Sequence, residues 1–148
     1  MMQSKIKPEI RRLAPADLSQ ILAIERMSFP DPWTVESFRG ILQIKTYLAL
    51  GAFDNNLLGY IICSKVVDEL HILNIAVAEN VRRRGVANAL IEKVLGLYPG
   101  QLKYVYLEVR ENNIPAIKFY LKLGFEKVGS RTRYYPDGSD AILMTLFL

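Results

Sequence analysis

The segment Leu70–Ala89 reads L-H-I-L-N-I-A-V-A-E-N-V-R-R-R-G-V-A-N-A: an apolar strand, a short basic turn, then a glycine opening a helix. A helix start offers N–H groups without intrahelical partners at the positive end of the helix dipole, so it is a seat for phosphate. Gly85 removes the Cβ where a ligand must approach the backbone, and Ala87 keeps the next turn thin. Arg82, Arg83 and Arg84 add positive charge at the same point. Alone, R-x-x-G-x-A is a weak pattern, and three adjacent arginines more often form a solvated patch.

A second constellation lies downstream, Y-V-Y-L-E-V-R-E-N-N-I-P-A-I-K-F-Y-L-K-L-G-F over Tyr104–Phe125. Period-two alternation puts Tyr104, Tyr106, Glu108 and Arg110 on one strand face and Val105, Leu107 and Val109 on the other. A carboxylate among tyrosines near a strand end suits a general base, because desolvation favours proton uptake near neutral pH. The competing role for Glu108 is an ion pair with Arg110 or another surface cation. Asn112 or Asn113 is placed to cap the next helix, where Pro115 fits the first turn. Tyr120, within that helix, reads either as a packed aromatic or as one with its hydroxyl at a rim.

The elements that must hold these residues alternate along the chain. Glu9–Leu13 reads as a first strand, followed by a helix from Pro15 and Asp17 through Met27 with Leu18, Ile21, Leu22 and Met27 as core residues. Phe29-Pro30-Asp31-Pro32-Trp33 cannot be helical throughout, since each proline restricts its predecessor to extended backbone. Thr34 caps a second helix to Ile44, and strands Tyr47–Phe53 and Leu57–Val67 flank the turn Asp54-Asn55-Asn56. Leu70–Ala78 and Lys103–Arg110 are further strands. The helix after Gly85 runs to Tyr98, where Pro99-Gly100 breaks it. Pro115–Leu123 is a helix ended by Gly124, and Phe125–Arg133 with Ala141–Phe147 form a last antiparallel pair around Asp137-Gly138. The expectation is one α/β domain over residues 1–148 with a mixed sheet.

Composition narrows the chemistry. At 148 residues, half of them apolar, the chain can bury a core without disulfides. No apolar run reaches the roughly 18–20 residues of a membrane span, and the N-terminus lacks the apolar stretch of a signal peptide. The single cysteine, Cys63, sits mid-strand; it fits a reducing cytoplasm and reads as a small buried hydrophobe. The one histidine, His71, argues against a Ser–His or Cys–His triad and a His-rich metal site, so no metal is expected. A net charge of +4 suits an anionic ligand and is too small to argue for nucleic acid.

Together, R-R-R-G-V-A and E-N-N-I-P-A-I-K-F-Y-L-K-L-G-F, in this order and spacing, resemble the GNAT superfamily of acetyl-coenzyme A-dependent N-acetyltransferases, over nearly the whole chain. F-P-D-P-W-T, L-H-I-L-N-I-A-V, Y-L-E-V-R-E-N-N and R-Y-Y-P-D-G-S-D-A bring it close to the RimI-type N-terminal alanine acetyltransferases. The resemblance implies a central, mostly antiparallel twisted sheet with one splayed strand pair, flanked by helices. It implies that Arg82, Arg83, Arg84, Gly85, Val86, Ala87, Asn88 and Ala89 hold the coenzyme pyrophosphate. Ile75, Ala76 and Val77 would offer main-chain hydrogen bonds to the pantetheine arm and thioester, and Asn113 would touch the coenzyme further along. Glu108 becomes the general base and Tyr120 the general acid. Phe29 and Pro30, with Tyr134 and Tyr135, would wall the acceptor groove, while Trp33 plugs the core beneath the loop.

An α-amine, with a pKa of about 7.7–8.0, is roughly a tenth neutral at pH 7, whereas a lysine is neutral less than about once in a thousand. That difference of about 3–4 kcal/mol favours an N-terminal acceptor for a single glutamate base. The expected activity is therefore transfer of acetyl from acetyl-coenzyme A to a protein N-terminal amine. The resemblance further implies that the acceptor is the N-terminal alanine of a small-subunit ribosomal protein, and the expected setting is a cytoplasmic monomer. The alternatives are a GNAT enzyme acting on lysine or a small amine, and a non-catalytic acyl-coenzyme A-binding or ribosome-binding module. A basic RNA-binding domain ranks last, because aromatics do not interleave with basic residues on a sheet face.

Overall fold

The computed structural model describes residues 4–148. Its strands are β1 Glu9–Arg12, β2 Tyr47–Phe53, β3 Leu57–Val66, β4 Glu69–Val77, β5 Tyr104–Arg110, β6 Glu126–Arg131 and β7 Ala141–Phe147. Its helices are α1 Leu18–Ser28, α2 Val35–Gln43, α3 Val86–Gly96 and α4 Ile114–Lys122, with single 3-10 turns at Pro15–Asp17 and Glu79–Val81. The strands join one mixed sheet in the order β1-β2-β3-β4-β5-β7-β6. The expected fold class, α/β with a mostly antiparallel sheet, is the one observed. Among the registered pairs only β4 and β5 run parallel, from Glu69 opposite Tyr104 to Ile72 opposite Leu107. The register stops there, although β4 continues to Val77 and β5 to Arg110.

By internal contacts the chain divides into two compact units. The first takes the chain up to Ser64 together with Asn74–Pro99. Its strand β2 is buried almost throughout, because α2 and α3 both pack against it. Ala49 and Phe53 face a core of Leu13, Ile21, Ile24, Phe38, Tyr60, Ile62 and Ala76. Leu48, Leu50 and Ala52 alternate to the other face and are equally buried. Helix α3 buries Val86, Leu90, Ile91 and Val94, one stripe at helical spacing. Helix α2 starts where expected, with Thr34 Oγ1 accepting from the Ser37 N–H at 3.1 Å.

One core assignment fails. Met27 is 70% exposed, while Ile24 and Glu25 are buried. From Ile21 the buried stripe runs through Ile24 and Glu25 to the half-buried Ser28. Met27 lies about 240° around the helix from Ile21, or about 120° the other way, which takes it off the buried stripe. The strand expected to reach Val67 stops at Val66, since Val67 turns left-handed at φ +57°.

The second unit holds Lys65–Leu73 and Gly100–Leu148. Here β5 alternates as read, with Val105, Leu107 and Val109 buried and the opposite face partly open. Helix α4 is capped by Asn113, whose Oδ1 accepts from the Ala116 N–H at 3.3 Å, and it buries Ile117 and Tyr120. Gly124, at φ +104°, ends the helix and delivers Phe125 edge-on to the Tyr120 ring at 5.5 Å.

Candidate active site

In the first unit, the chain leaves β4 through a fixed path. The Ala78 N–H donates to the Leu58 carbonyl at 2.8 Å, and one 3-10 turn with buried Val81 follows. Arg83 (φ +64°) and Gly85 (φ +86°) then adopt left-handed backbone around Arg84, which turns the chain into α3. Gly85 is the N-cap, and no side chain caps this helix. The first N–H to bond back is that of Ala89, to the Gly85 carbonyl at 3.0 Å. Val86, Ala87 and Asn88 thus present N–H groups that have no acceptor within the helix. A cluster of main-chain donors at a helix start, with basic residues around it, fits a phosphate.

The arginines divide in their tasks. Arg82 Nε donates to the Val77 carbonyl at 3.1 Å and ties the turn to the end of β4. Arg84 Nε donates to the Ser4 carbonyl at 3.0 Å, while the Arg84 carbonyl accepts from the Ile6 N–H at 2.9 Å. The N-terminal segment is therefore laced to the turn. Glycine is favoured at position 85 by its φ of +86°, while a Cβ would meet only the flexible Lys5 side chain, at 3.0 Å, which need shift little. Nothing in the spacing of the arginines announced that contact.

Ile75, Ala76 and Val77 form the last stretch of β4, with Ala76 buried and its neighbours half-buried. Gly59 on β3 allows this stretch to sit close, since a Cβ there would lie 2.8 Å from the Ala76 carbonyl oxygen. The Phe29–Trp33 loop is irregular, as its prolines demand. Phe29 packs partly buried against the core, Pro30 is exposed, and Trp33 packs against Phe38 with ring centroids 5.3 Å apart. Trp33 is the core plug the sequence suggests. Beneath the loop stands Glu25, 1% exposed, which the reading of α1 missed. The available sign was a lone acid four residues after Ile21, on the apolar stripe.

In the second unit, Glu108 is paired with a surface cation, as the alternative reading of it expected. Its Oε1 accepts the Tyr106 hydroxyl at 3.0 Å and Arg131 Nε at 2.9 Å. Burial, more than the adjoining Glu108, pushes the Tyr106 hydroxyl above the usual phenol range. Tyr134 also feels Glu108: the carboxylate's negative charge, more than burial, raises its hydroxyl. The expected base and one expected acceptor-wall residue are therefore neighbours. His71 pairs across the strands with Tyr106, its ring 5.3 Å from the tyrosine ring and its Nε2 3.0 Å from Glu69.

Arg110 serves the β6–β7 connection. Its guanidinium bonds Asp137 Oδ1 at 2.7 Å and Ser139 Oγ at 2.6 Å, and lies 4.1 Å from the Tyr135 ring centroid. Tyr134 and Tyr135 sit in that connection rather than in a strand, with their rings edge-on at 5.1 Å. Arg133, at φ +52°, turns the chain after β6. Tyr120 is buried, and burial raises its hydroxyl above the usual phenol range. It is a protonated phenol at neutral pH. Asn113 spends its carbonyl oxygen on the helix cap, leaving its amide nitrogen for another partner.

Residues 18–125 match the sequence model of the acetyltransferase (GNAT) family. The chain belongs to the GNAT acetyltransferase family. The match takes in the Arg82–Ala89 turn, the last part of β4, Glu108, Asn113 and Tyr120. Among relatives of this GNAT chain is the [ribosomal protein bS18]-alanine N-acetyltransferase of Escherichia coli, 34% identical over 93% of this chain and 95% of that protein. The N-alpha-acetyltransferase of Saccharolobus solfataricus is also 34% identical, over 86% of each. The crystal structure of the Escherichia coli ribosomal-protein-S18-alanine N-acetyltransferase has a TM-score of 0.85 and covers 95% of this chain and 94% of its own. Arabidopsis thaliana NAA60, solved in complex with a bisubstrate analogue, has a TM-score of 0.86 at 25% identity, with 95% and 98% covered.

Proposed function

We propose that this GNAT protein transfers acetyl from acetyl-coenzyme A to the N-terminal α-amine of a protein, and that the acceptor is the N-terminal alanine of a small-subunit ribosomal protein. The observation that carries the acceptor reading is the Glu108 carboxylate set among Tyr106, Arg131 and Tyr134. A base beside an aromatic acceptor wall suits an amine delivered at the end of an extended peptide. The relatives named for α-amine and ribosomal-alanine acetylation support the same choice. Such a substrate places the work in the cytoplasm, and the described helices include none long and apolar enough to cross a membrane.

The residues then take these roles. The N–H groups of Val86, Ala87 and Asn88, with Arg83 and Arg84 alongside, receive the pyrophosphate, and Gly85 keeps the approach open. Main-chain groups of Ile75, Ala76 and Val77 bind the pantetheine arm, and one N–H stabilises the oxyanion that develops at the thioester carbonyl. Glu108 removes a proton from the attacking amine through a water molecule. Tyr120 delivers a proton to the departing thiolate. It is a weak donor, since burial raises its pKa, but a thiolate in a water-poor site is a stronger base than one in water. No enzyme nucleophile is needed, because the amine attacks the thioester directly.

The deciding experiment compares a peptide with a free alanine N-terminus against the same peptide N-terminally blocked and carrying an internal lysine. Acetylation of the first alone is expected. Equal or faster acetylation of the blocked peptide refutes the α-amine reading in favour of lysine.

A further inference from the structure

Glu25 is buried and none of the chemistry above uses it, yet it holds both ends of the Phe29–Trp33 loop. Its main-chain carbonyl accepts from the Phe29 N–H at 3.1 Å, and its side-chain Oε2 accepts from the Trp33 N–H at 2.9 Å. The other oxygen, Oε1, accepts the Tyr60 hydroxyl at 2.5 Å and Asn74 Nδ2 at 2.9 Å. Tyr60 is on β3, and Asn74 is on β4, immediately before Ile75–Val77. One side chain of α1 thus joins the loop assigned to the acceptor to the strand stretch assigned to the acetyl group.

Burying a carboxylate costs several kcal/mol, and an apolar side chain of similar volume is often as good or better for stability alone. A leucine here could fill the space. It could not fix the Trp33 amide at one place relative to Asn74, which three convergent hydrogen bonds do. Within the loop Pro30 and Pro32 carry no N–H, so the Trp33 amide is a main-chain donor through which α1 can anchor its far end.

We propose that Glu25 is a positioning residue for acetyl transfer, one that sets the Phe29–Trp33 acceptor loop against the Asn74–Val77 stretch of β4. This rests on the α-amine reading above and adds to it the link that registers one substrate on the other. Loss of the link should weaken acceptor binding far more than coenzyme binding, because the turn that follows Val77 keeps its own hydrogen bonds to Val77 and to the N-terminal segment.

The test is Glu25→Gln, with Tyr60→Phe as its partner. A carboxamide offers one accepting oxygen and an –NH2 in place of two accepting oxygens, so either Trp33 or the Tyr60–Asn74 pair faces a donor. Below the melting temperature, Glu25→Gln should raise KM for an alanine-starting peptide about tenfold. Its Kd for acetyl-coenzyme A, measured by calorimetry, should stay within about twofold of wild type, the factor left by a change too small to remove one hydrogen bond. Hydrogen exchange at the Trp33 amide should quicken. Tyr60→Phe keeps the Trp33 bond, so it should lower stability without raising that KM. An unchanged KM in Glu25→Gln, with wild type active, overturns the proposal and leaves the α-amine reading standing. So does a parallel loss of peptide and coenzyme affinity, which marks a merely structural residue. A wild-type protein that binds acetyl-coenzyme A but acetylates no α-amine refutes the reading and the proposal with it. Should Glu25→Gln not fold, the wild-type Trp33 amide decides: added protection on peptide binding supports the link, and unchanged protection overturns it.

Discussion

Arg131 Nε donates to Glu108 Oε1 at 2.9 Å, the same oxygen that takes the Tyr106 hydroxyl at 3.0 Å. The pair is about half open to solvent on the arginine side, so it adds little to stability. Its worth is in orientation, because two donors from two strands fix where the carboxylate stands.

If Glu108 is the base, Glu108→Gln should lower kcat/KM at pH 7 by about 10²–10⁴-fold while changing stability little. The deficit should shrink as pH rises through about 7.7–8.0, where free α-amine accumulates without help. Rates across pH 6.5–9 check this, and a wild-type rate for Glu108→Gln at pH 7 refutes the assignment.

Tyr120→Phe should behave differently. Burial keeps the Tyr120 phenol protonated beyond its ordinary range, so wild type should lose no rate from its ionisation below about pH 10. The phenylalanine variant should show a lower kcat at every pH, with no recovery in alkali, under conditions where the chemical step limits. Undiminished single-turnover rates count against the acid role.

For the coenzyme turn, acetyl-coenzyme A at a hundredfold excess over Kd should stabilise wild type by about 2.7 kcal/mol. Gly85→Val imposes a branched side chain on backbone at φ +86° and directs a Cβ to 3.0 Å from Lys5. Ligand-induced stabilisation should vanish in that variant. A folded Gly85→Val protein with unchanged affinity removes the turn from the site.

Tyr135→Ala should raise KM for the acceptor peptide and leave coenzyme affinity nearly unchanged. Its ring covers the Arg110 guanidinium, so the variant also uncovers one face of the arginine that holds Asp137 and Ser139. Steady-state kinetics with each substrate varied in turn separate the two effects; equal losses for both substrates argue against an acceptor wall.

A structural prediction concerns Asp17, which accepts from the Ala14 N–H at 2.7 Å and from Arg11 through both oxygens. The Arg11 hydrogen bonds, outweighing burial, hold its carboxyl below the ordinary value of 3.8. A lowered folded pKa contributes stability above the unfolded value and loses it as pH falls through the folded one. Asp17→Asn should therefore cost about 1–3 kcal/mol at pH 7, with the gap closing below about pH 4. Urea unfolding at pH 7 and pH 3 measures both.

Local rules made most of the fold legible. Alternation in Tyr104–Arg110 gave the faces of β5, Thr34 gave the start of α2, and Gly85 and Gly124 marked helix ends correctly. Met27 was misplaced because a stripe of helical period has a width, and only packing shows which edge of it is covered. The site residues share that division. Gly85 stands out by type and spacing, whereas the Glu25–Trp33–Asn74 junction joins positions far apart in sequence. Likewise Arg131 reaches Glu108 across 23 positions, so no window of sequence could have preferred it to Arg110.

Cys63 lies at 0% exposure in β3, and burial pushes its thiol up to about 12. It is the chain's one cysteine, so the enzyme carries almost no thiolate within reach of reagent at pH 8. Acetyl transfer to an amine liberates the coenzyme's own sulfhydryl, and a chromogenic disulfide added to the cuvette would report that sulfhydryl alone. Turnover can thus be followed continuously by colour, on the native sequence, without first removing a background cysteine.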